Sequence, residues 1–221
     1  MKKAFTLVEL LIVIALIAIL SVAVLATINP IEQTNKARDA KFKNDAAEVL
    51  SAYERYFASL NKYPWNESAG TSVAPNSPFA ASSMSNAFGV LAVSGEVGTT
   101  GLLITNSELK SSFVGKEPFV NAIGSANYGQ DAMYTFHNGN DANYVCFCPK
   151  ASVNRTGSNK ATLKCLDGAL DNTTGIVTAP VLVDINAGGA GGCQNLAAGA
   201  FTCDISSTNA NLLCVPEGNI Q

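Results

Sequence analysis

The sequence has few charged side chains and a single histidine. Charged residues make up 14% of the 221 residues, and His137 is the only imidazole that a Ser-His-Asp or Cys-His site could use. Its position beside Asn138, at a turn, favours a surface role. The glycines at 188–192 lack the Lys and Ser/Thr of a phosphate-binding loop. We therefore expect no catalytic site, no cofactor and no enzymatic activity.

Positive charge is also scarce beyond the first 61 residues. Residues 62–221 contain 7 basic and 11 acidic side chains, a net charge of -4. A polyanion-binding surface needs the opposite balance, and the aromatic residues are too few for a base-stacking platform. We therefore expect no nucleic-acid partner. The acidic turn at 167–172 does not match EF-hand spacing, which favours a solvated turn over a calcium site.

The first 28 residues contain one long apolar run. Lys2 and Lys3 precede it, and it extends from Phe5 to Ile28 with Glu9 as its only charge. At about 1.5 Å per residue, a helix of this length crosses a bilayer core of about 30 Å. Basic flanks stay on the cytoplasmic side, so we expect the residues after Ile28 to lie outside the cytoplasm.

Glu9 is an unusual residue in such a run. A carboxylate at the centre of a membrane helix costs about 2.5–3.5 kcal/mol, and less near an end. Two interpretations are open. Glu9 lies among the cytoplasmic headgroups without a partner, or processing of the chain supplies one. Cleavage after Ala4 would leave a free amine on Phe5, with which Glu9 of a neighbouring copy could pair.

Part of the run resembles a known signal: Lys3-Ala4-Phe5-Thr6-Leu7-Val8-Glu9-Leu10-Leu11-Ile12-Val13-Ile14. It is similar to the class III signal of type IV prepilins and type II secretion pseudopilins. In that family a prepilin peptidase cuts before the Phe, and the new amine is N-methylated. The resemblance implies that Ala4 is the cleavage position, Phe5 the methylated terminus and Glu9 the carboxylate for subunit docking. The family most often has Gly before the cut, and Ala is a minor variant.

No cysteine precedes residue 146. Six follow: Cys146, Cys148, Cys165, Cys193, Cys203 and Cys214. An even number in the exported part predicts up to three disulfides, and the sequence does not choose among their 15 pairings. Cys146 and Cys148 lie two apart on a predicted strand and face the same side, so we expect each to pair elsewhere. The C-x-C spacing and the absence of a nearby histidine disfavour a zinc site, and we expect no metal.

Residues 29–62 predict an amphipathic helix. Asn29 can cap it, Pro30 suits its first position and Glu32 occupies a capping-box position, so either a second helix begins here or one long helix kinks here. Exposed charges predict pairs such as Lys41–Asp45. Spacings of three and four predict one buried stripe: Phe42, Ala46, Val49, Leu50, Tyr53, Phe57 and Leu60.

Residues 63–221 predict a small antiparallel sheet. The clearest signal is a hairpin of residues 131–137 and 142–148, joined through Asn138-Gly139. A third strand is predicted at 161–166 and a fourth at 176–185, which Pro180 splits or moves to an edge. The segment 102–113 fits a short helix or a strand, and 82–91 a short helix within a loop. The stretch 187–221 is glycine-rich and without period.

These elements predict an α+β fold. A long N-terminal helix, apolar and then amphipathic, packs on the small antiparallel sheet and is followed by a disulfide-stapled C-terminal region. We divide the chain into a leader (1–4), a transmembrane and filament-core helix (5–28), an amphipathic helix (29–62) and an extracellular globular domain (63–221).

The resemblance implies a structural function, that of a subunit of a type IV pilus or pseudopilus filament. The implied partners are identical or related subunits, prepilin peptidase, the membrane, and an inner-membrane assembly platform with its ATPase. The implied location is the cytoplasmic membrane before assembly and the cell surface afterwards.

Two other interpretations are open. Val24-Leu25-Ala26 is similar to a signal peptidase site, and cleavage after Ala26 would release a soluble, disulfide-stapled binding domain or enzyme. An acidic residue at position 9 is unusual in the apolar core of such a signal. Alternatively, the helix is a permanent anchor for an extracellular binding domain.

Overall fold

A computed structural model describes residues 5–27, 29–64, 79–83, 90, 101–120, 131–137, 143–155, 163–167, 181–184 and 210–217. Two long helices come first, α1 (Leu7–Thr27) and α2 (Pro30–Leu60). Short helices follow at Leu102–Thr105 (α3), Glu117–Val120 (α4) and Ser152–Arg155 (α5), with a 3-10 helix at Ser111–Gly115. The segment 102–113 is therefore helical at both ends. We call everything from α2 onward the head.

The head contains a six-stranded antiparallel sheet with the order β1-β2-β3-β6-β4-β5. Its strands are β1 (Phe79–Ser83), β2 (Met133–His137), β3 (Tyr144–Phe147), β4 (Leu163–Asp167), β5 (Val181–Asp184) and β6 (Ala210–Val215). This architecture confirms the predicted α+β class. A short helix was predicted at 82–91, but residues 82 and 83 belong to strand β1. Residues 84–89 and 91 lie outside the described residues.

The predicted hairpin is β2–β3, with Tyr134 opposite Cys146. The third predicted strand is β4, and the fourth is β5, which lies at one edge of the sheet. Residues 176–180 of the predicted fourth strand, including Pro180, lie outside the described residues. Strand β6 was not predicted. It comes last in the chain yet lies in the interior of the sheet, between β3 and β4.

Helix α2 packs on one face of the sheet. The Phe42 ring meets Phe147 edge-on at 5.5 Å between centroids, and the hydroxyls of Tyr53 and Thr135 are 3.0 Å apart. The shared core also contains Ala46, Val49, Ala52, Tyr56, Leu103, Phe113, Phe119, Met133, Val145, Leu163 and Leu213. Because side chains alternate along a strand, Cys146 points to the opposite face.

The predicted apolar stripe is buried in its first part only. Phe42, Ala46, Val49 and Tyr53 have no exposed surface, whereas Leu60 is 41% exposed. Ala52 and Tyr56, which the stripe omitted, are fully buried. The contact face continues through positions 49, 52, 53 and 56, which is the spacing of a 3.6-residue period, and leaves the sheet before the helix ends.

A buried carboxylate joins α2 to the chain that leaves β3. Asp39 is 1% exposed and accepts hydrogen bonds from the backbone N–H groups of Lys150 (2.9 Å) and Ala151 (2.9 Å) and from Nδ2 of Asn154 (2.7 Å). The neighbouring Arg38 donates to Asp131 Oδ1 at 2.6 Å and to the Cys148 carbonyl at 3.3 Å. These bonds satisfy groups that would be costly to bury alone.

Ion pairs attach the segment 101–120 along α2. Lys116 Nζ lies 2.7 Å from Asp45 Oδ1, and Arg55 Nε lies 3.0 Å from Glu108 Oε2. Asp45 faces inward, so its partner is Lys116 rather than Lys41, the residue four positions earlier that the sequence pattern suggests. Lys41 instead lies 3.9 Å from Glu117. The segment therefore runs antiparallel to α2.

Candidate functional site

Helix α1 is apolar on all sides, and no part of the chain that the structure describes covers it. None of the window Leu7–Leu25 is buried, and it is the one helix of the described residues that is long and apolar enough to cross a membrane. Its exposed large side chains include Leu7 at 79% and Leu25 at 71%. Burial of each such side chain is favourable by about 1.5–3 kcal/mol. For more than ten of them, the free energy gained by covering the helix is on the order of 20 kcal/mol. The helix needs lipid or other helices around it.

The helix begins with a reciprocal capping box that the sequence analysis did not identify. Thr6 is the N-cap, and its backbone N–H and its Oγ1 both donate to Glu9 Oε2, at 2.9 and 2.8 Å. The Glu9 N–H donates to Thr6 Oγ1 at 3.3 Å. The signal is the pattern Thr6-Leu7-Val8-Glu9, because Ser or Thr followed three residues later by Glu is the motif of a capping box.

The capping box fixes where the Glu9 carboxylate lies. It stands in the first turn of α1, at the positive end of the helix dipole, and both bonds from Thr6 fall on one of its two oxygens. No cation of the described residues forms an ion pair with it. The turn that carries this carboxylate is exposed. This end of α1 therefore presents a negative charge to anything that packs beside it.

Phe5 lies directly before the N-cap and is 81% exposed. Ala4 is outside the described residues. The backbone of Phe5 and Thr6 is not helical, since α1 begins at Leu7. The peptide N–H of the capping box belongs to Thr6, one residue beyond the Ala4–Phe5 bond. The box therefore has the same donors whether or not that bond is cut.

The Asn29-Pro30 step separates the two long helices. Asn29 has an extended backbone (φ -89°, ψ 97°) and its side chain accepts the Glu32 N–H at 3.2 Å, while Pro30 is the first residue of α2. The Glu32 side chain does not return to this cap. Its Oε1 accepts the backbone N–H of Ser152 at 2.9 Å and the Ser152 hydroxyl at 2.8 Å. The hydroxyl bond is the main cause that lowers the pKa of Glu32.

The cysteines of the described residues all form disulfides. Cys146 bonds to Cys214, directly opposite on β6, and Cys148 and Cys165 are disulfide-bonded as well. Cys193 and Cys203 lie outside the described residues. The bond between β3 and β6 ties the last strand to the hairpin, in agreement with the predicted disulfide-stapled C-terminal region. No group of three His, Cys, Asp or Glu within the described part could hold a metal ion.

Comparison with known proteins adds one match. Residues 1–25 match the family model described as the prokaryotic N-terminal methylation motif. No curated protein matches the chain, and no solved structure does. The N-terminus is therefore the class III prepilin-like signal that type IV pilins and pseudopilins carry, which confirms the resemblance seen in the sequence. The motif indicates a type IV pilin-like precursor that is processed by prepilin peptidase. It points to a structural subunit and covers 25 of 221 residues.

Proposed function

We propose that this protein is the structural subunit of a type IV pilus or pseudopilus filament and that it polymerises through α1. The observation that carries the proposal is the uncovered apolar helix with a single capped carboxylate at its start. Lipid covers such a helix before assembly, and the α1 helices of other copies cover it afterwards. The exchange replaces one apolar environment with another, so apolar burial favours neither state strongly.

The charge near the start of α1 supplies the register. Prepilin peptidase cuts after Ala4, and the Phe5 amine becomes the methylated terminus. Glu9 of one subunit docks against the Phe5 amine of its neighbour, because an ion pair is strong where water is excluded and only one axial offset brings the groups together. The contact joins different surfaces of two identical copies, and such a contact repeats into an open helical filament.

The proposal includes the machinery and the places that a filament requires. The precursor waits in the cytoplasmic membrane with Lys2 and Lys3 inside and the head outside. An inner-membrane platform with its ATPase supplies the work of extraction, and identical or related subunits receive α1. The segments 1–4, 5–28, 29–62 and 63–221 are then the leader, the filament core, the amphipathic helix and the exported domain.

Mass spectrometry of the mature N-terminus, from sheared surface material and from membranes, tests the proposal. We expect a chain that begins at methylated Phe5 in both fractions. A chain beginning at Thr27 would instead identify a secreted domain, and an intact Met1 a permanent anchor.

A Glu9→Gln variant tests polymerisation separately, because it keeps the length and the hydrogen-bond acceptor of the side chain and removes the charge. We expect this variant to be present in membranes in normal amounts and at least about tenfold depleted in sheared filaments, since the loss of one buried ion pair exceeds 1.4 kcal/mol. Normal filaments from Glu9→Gln would contradict the docking role. Asn44→Asp is a matched control, because it changes one charge at an exposed position of α2.

A further inference from the structure

Within the head, the described residues expose three large hydrophobic side chains. These are Ile31 at 72%, Val153 at 42% and Leu60 at 41%. Leu60 is the last residue of α2. Ile31 and Val153 belong to different parts of the head, the first turn of α2 and the short helix α5.

The two segments that carry Ile31 and Val153 are joined through the residues next to them in the chain. Glu32, which follows Ile31, accepts two hydrogen bonds from Ser152, which precedes Val153, at 2.9 and 2.8 Å. This contact joins residues 120 positions apart in the sequence. We call Ile31 and Val153 the base patch, because they lie at the end of the head from which α1 departs.

The base patch lies close to the point where the chain leaves the lipid. Helix α1 has 21 residues and a length of about 32 Å, which matches a hydrocarbon core of about 30 Å. Ile31 follows the last residue of α1, Thr27, by four positions. Even a fully extended chain of four residues spans at most about 14 Å. The headgroup layer is about 5–8 Å thick on each side, so Ile31, in the first turn of α2, lies within or just above it.

We propose that the base patch is a membrane-contact surface, in which Ile31 and Val153 enter the headgroup region of the outer leaflet while the subunit waits for assembly. This inference rests on the membrane storage of α1 in the proposed function and adds a second, superficial contact to it. Side chains at this depth gain part of the free energy of burial without crossing the bilayer. The contact sets the orientation of the head above the membrane.

The charges beside the base patch are of both signs, so we expect the contact not to require a particular charge on the lipid headgroup. Glu32 interacts with Lys36, four residues further along α2, and with Arg155 of α5, and the attraction of Lys36 contributes to the lowered pKa of Glu32. The contact is therefore apolar in origin. A second copy of the head is the other possible occupant, but Ile31 follows the end of α1 by only four positions in the chain, which favours the membrane.

Tryptophan fluorescence tests the contact in the intact chain. Val153→Trp is made in a Trp65→Phe background, which removes the only native tryptophan, and the protein is reconstituted into phosphatidylcholine vesicles. A fraction of the lipid carries bromine near the top of its acyl chains, where it quenches tryptophan at the headgroup boundary. We expect the emission of Trp at 153 to fall by roughly half.

Leu60→Trp in the same background is the matched control. Leu60 and Val153 are almost equally exposed, but Leu60 lies 29 residues along α2 from Ile31, about 44 Å away as a helix. We expect no quenching there. Equal emission with and without bromine at both positions would overturn the inference. So would a Trp at 153 that is shielded only at protein concentrations where copies associate, because the occupant would then be a second head.

Flotation of the same vesicles distinguishes a failure of this inference from a failure of the proposed function. A chain that floats with the vesicles and resists alkaline extraction has inserted α1, so an unquenched Trp at 153 then contradicts the base patch alone. A chain that does not float contradicts membrane storage itself, and the base patch with it.

Discussion

Asp39→Ala should strongly destabilise the head. Its carboxylate is buried and serves three donors, the N–H groups of Lys150 and Ala151 and the side-chain amide of Asn154. Alanine leaves these donors without an acceptor, at about 1–3 kcal/mol for each buried group. It also removes the anion 3.5 Å from the buried Arg38 guanidinium. Breaking a buried network in this way costs about 3–5 kcal/mol in total.

Thermal unfolding of the full chain in detergent micelles, followed by circular dichroism, measures this loss. For a domain of this size, 1 kcal/mol corresponds to about 2–4 °C, so the midpoint should fall by about 10 °C. Glu48→Ala is the control, because Glu48 is 51% exposed and its ion pair with Lys116 at 3.3 Å should contribute less than about 1 kcal/mol. If both variants shift the midpoint equally, the buried network does not hold α5 to α2 as argued.

Three further predictions concern the cap, the acidic limit of stability and the disulfide. Thr6→Val should remove both bonds made by the Thr6 hydroxyl and lower the local stability of the first turn of α1 by about 0.5–2 kcal/mol. Amide exchange in that turn should become faster accordingly, whereas Thr6→Ser should leave it unchanged. The lowered pKa of Glu32 means that its contribution to stability is complete above the unfolded value of 4.5 and is lost as the pH falls through the folded value. In acid titrations followed by fluorescence, Ser152→Ala should reduce this part of the pH dependence, because it removes the largest of the interactions that lower the pKa and keeps the backbone bonds and Lys36. Replacing Cys146 and Cys214 together by alanine releases a loop of 68 residues and should cost about 4 kcal/mol in a urea titration, and a loss below about 1 kcal/mol would contradict the chain-entropy argument.

The parts of the fold that could be predicted are those with local signals. The cap at Asn29, the periodicity from Phe42 to Tyr53 and the pairing of β2 with β3 were each predicted from residues that are close in the sequence. Strand β6 has no such signal. Its residues Asn211-Leu212-Leu213-Cys214 are buried on both faces, so polar and apolar residues do not alternate, and its partners β3 and β4 are distant in the sequence.

The site divides in the same way. The motif at Phe5 and Glu9 is contiguous, and the family match covers it. The capping box is also a local feature, because it depends only on the spacing of Thr6 and Glu9. It was not predicted, because the carboxylate in an apolar run was interpreted through a partner in another copy. The bond from Ser152 to Glu32 joins residues 120 positions apart and follows from no pattern in either segment.

The position of β6 in the sheet constrains the order in which the head can fold. The sheet consists of two parts, β1-β2-β3 and β4-β5, and the strand that joins them is the last to leave the ribosome. Until residues 210–215 are present, the two parts have no shared ladder. We therefore expect the head of an exported subunit to reach its protease-resistant fold only after β6 has been translocated. A chain truncated before residue 210 should accordingly be exported and then digested by a protease that spares the full-length head, and resistance of the truncated chain would refute this order.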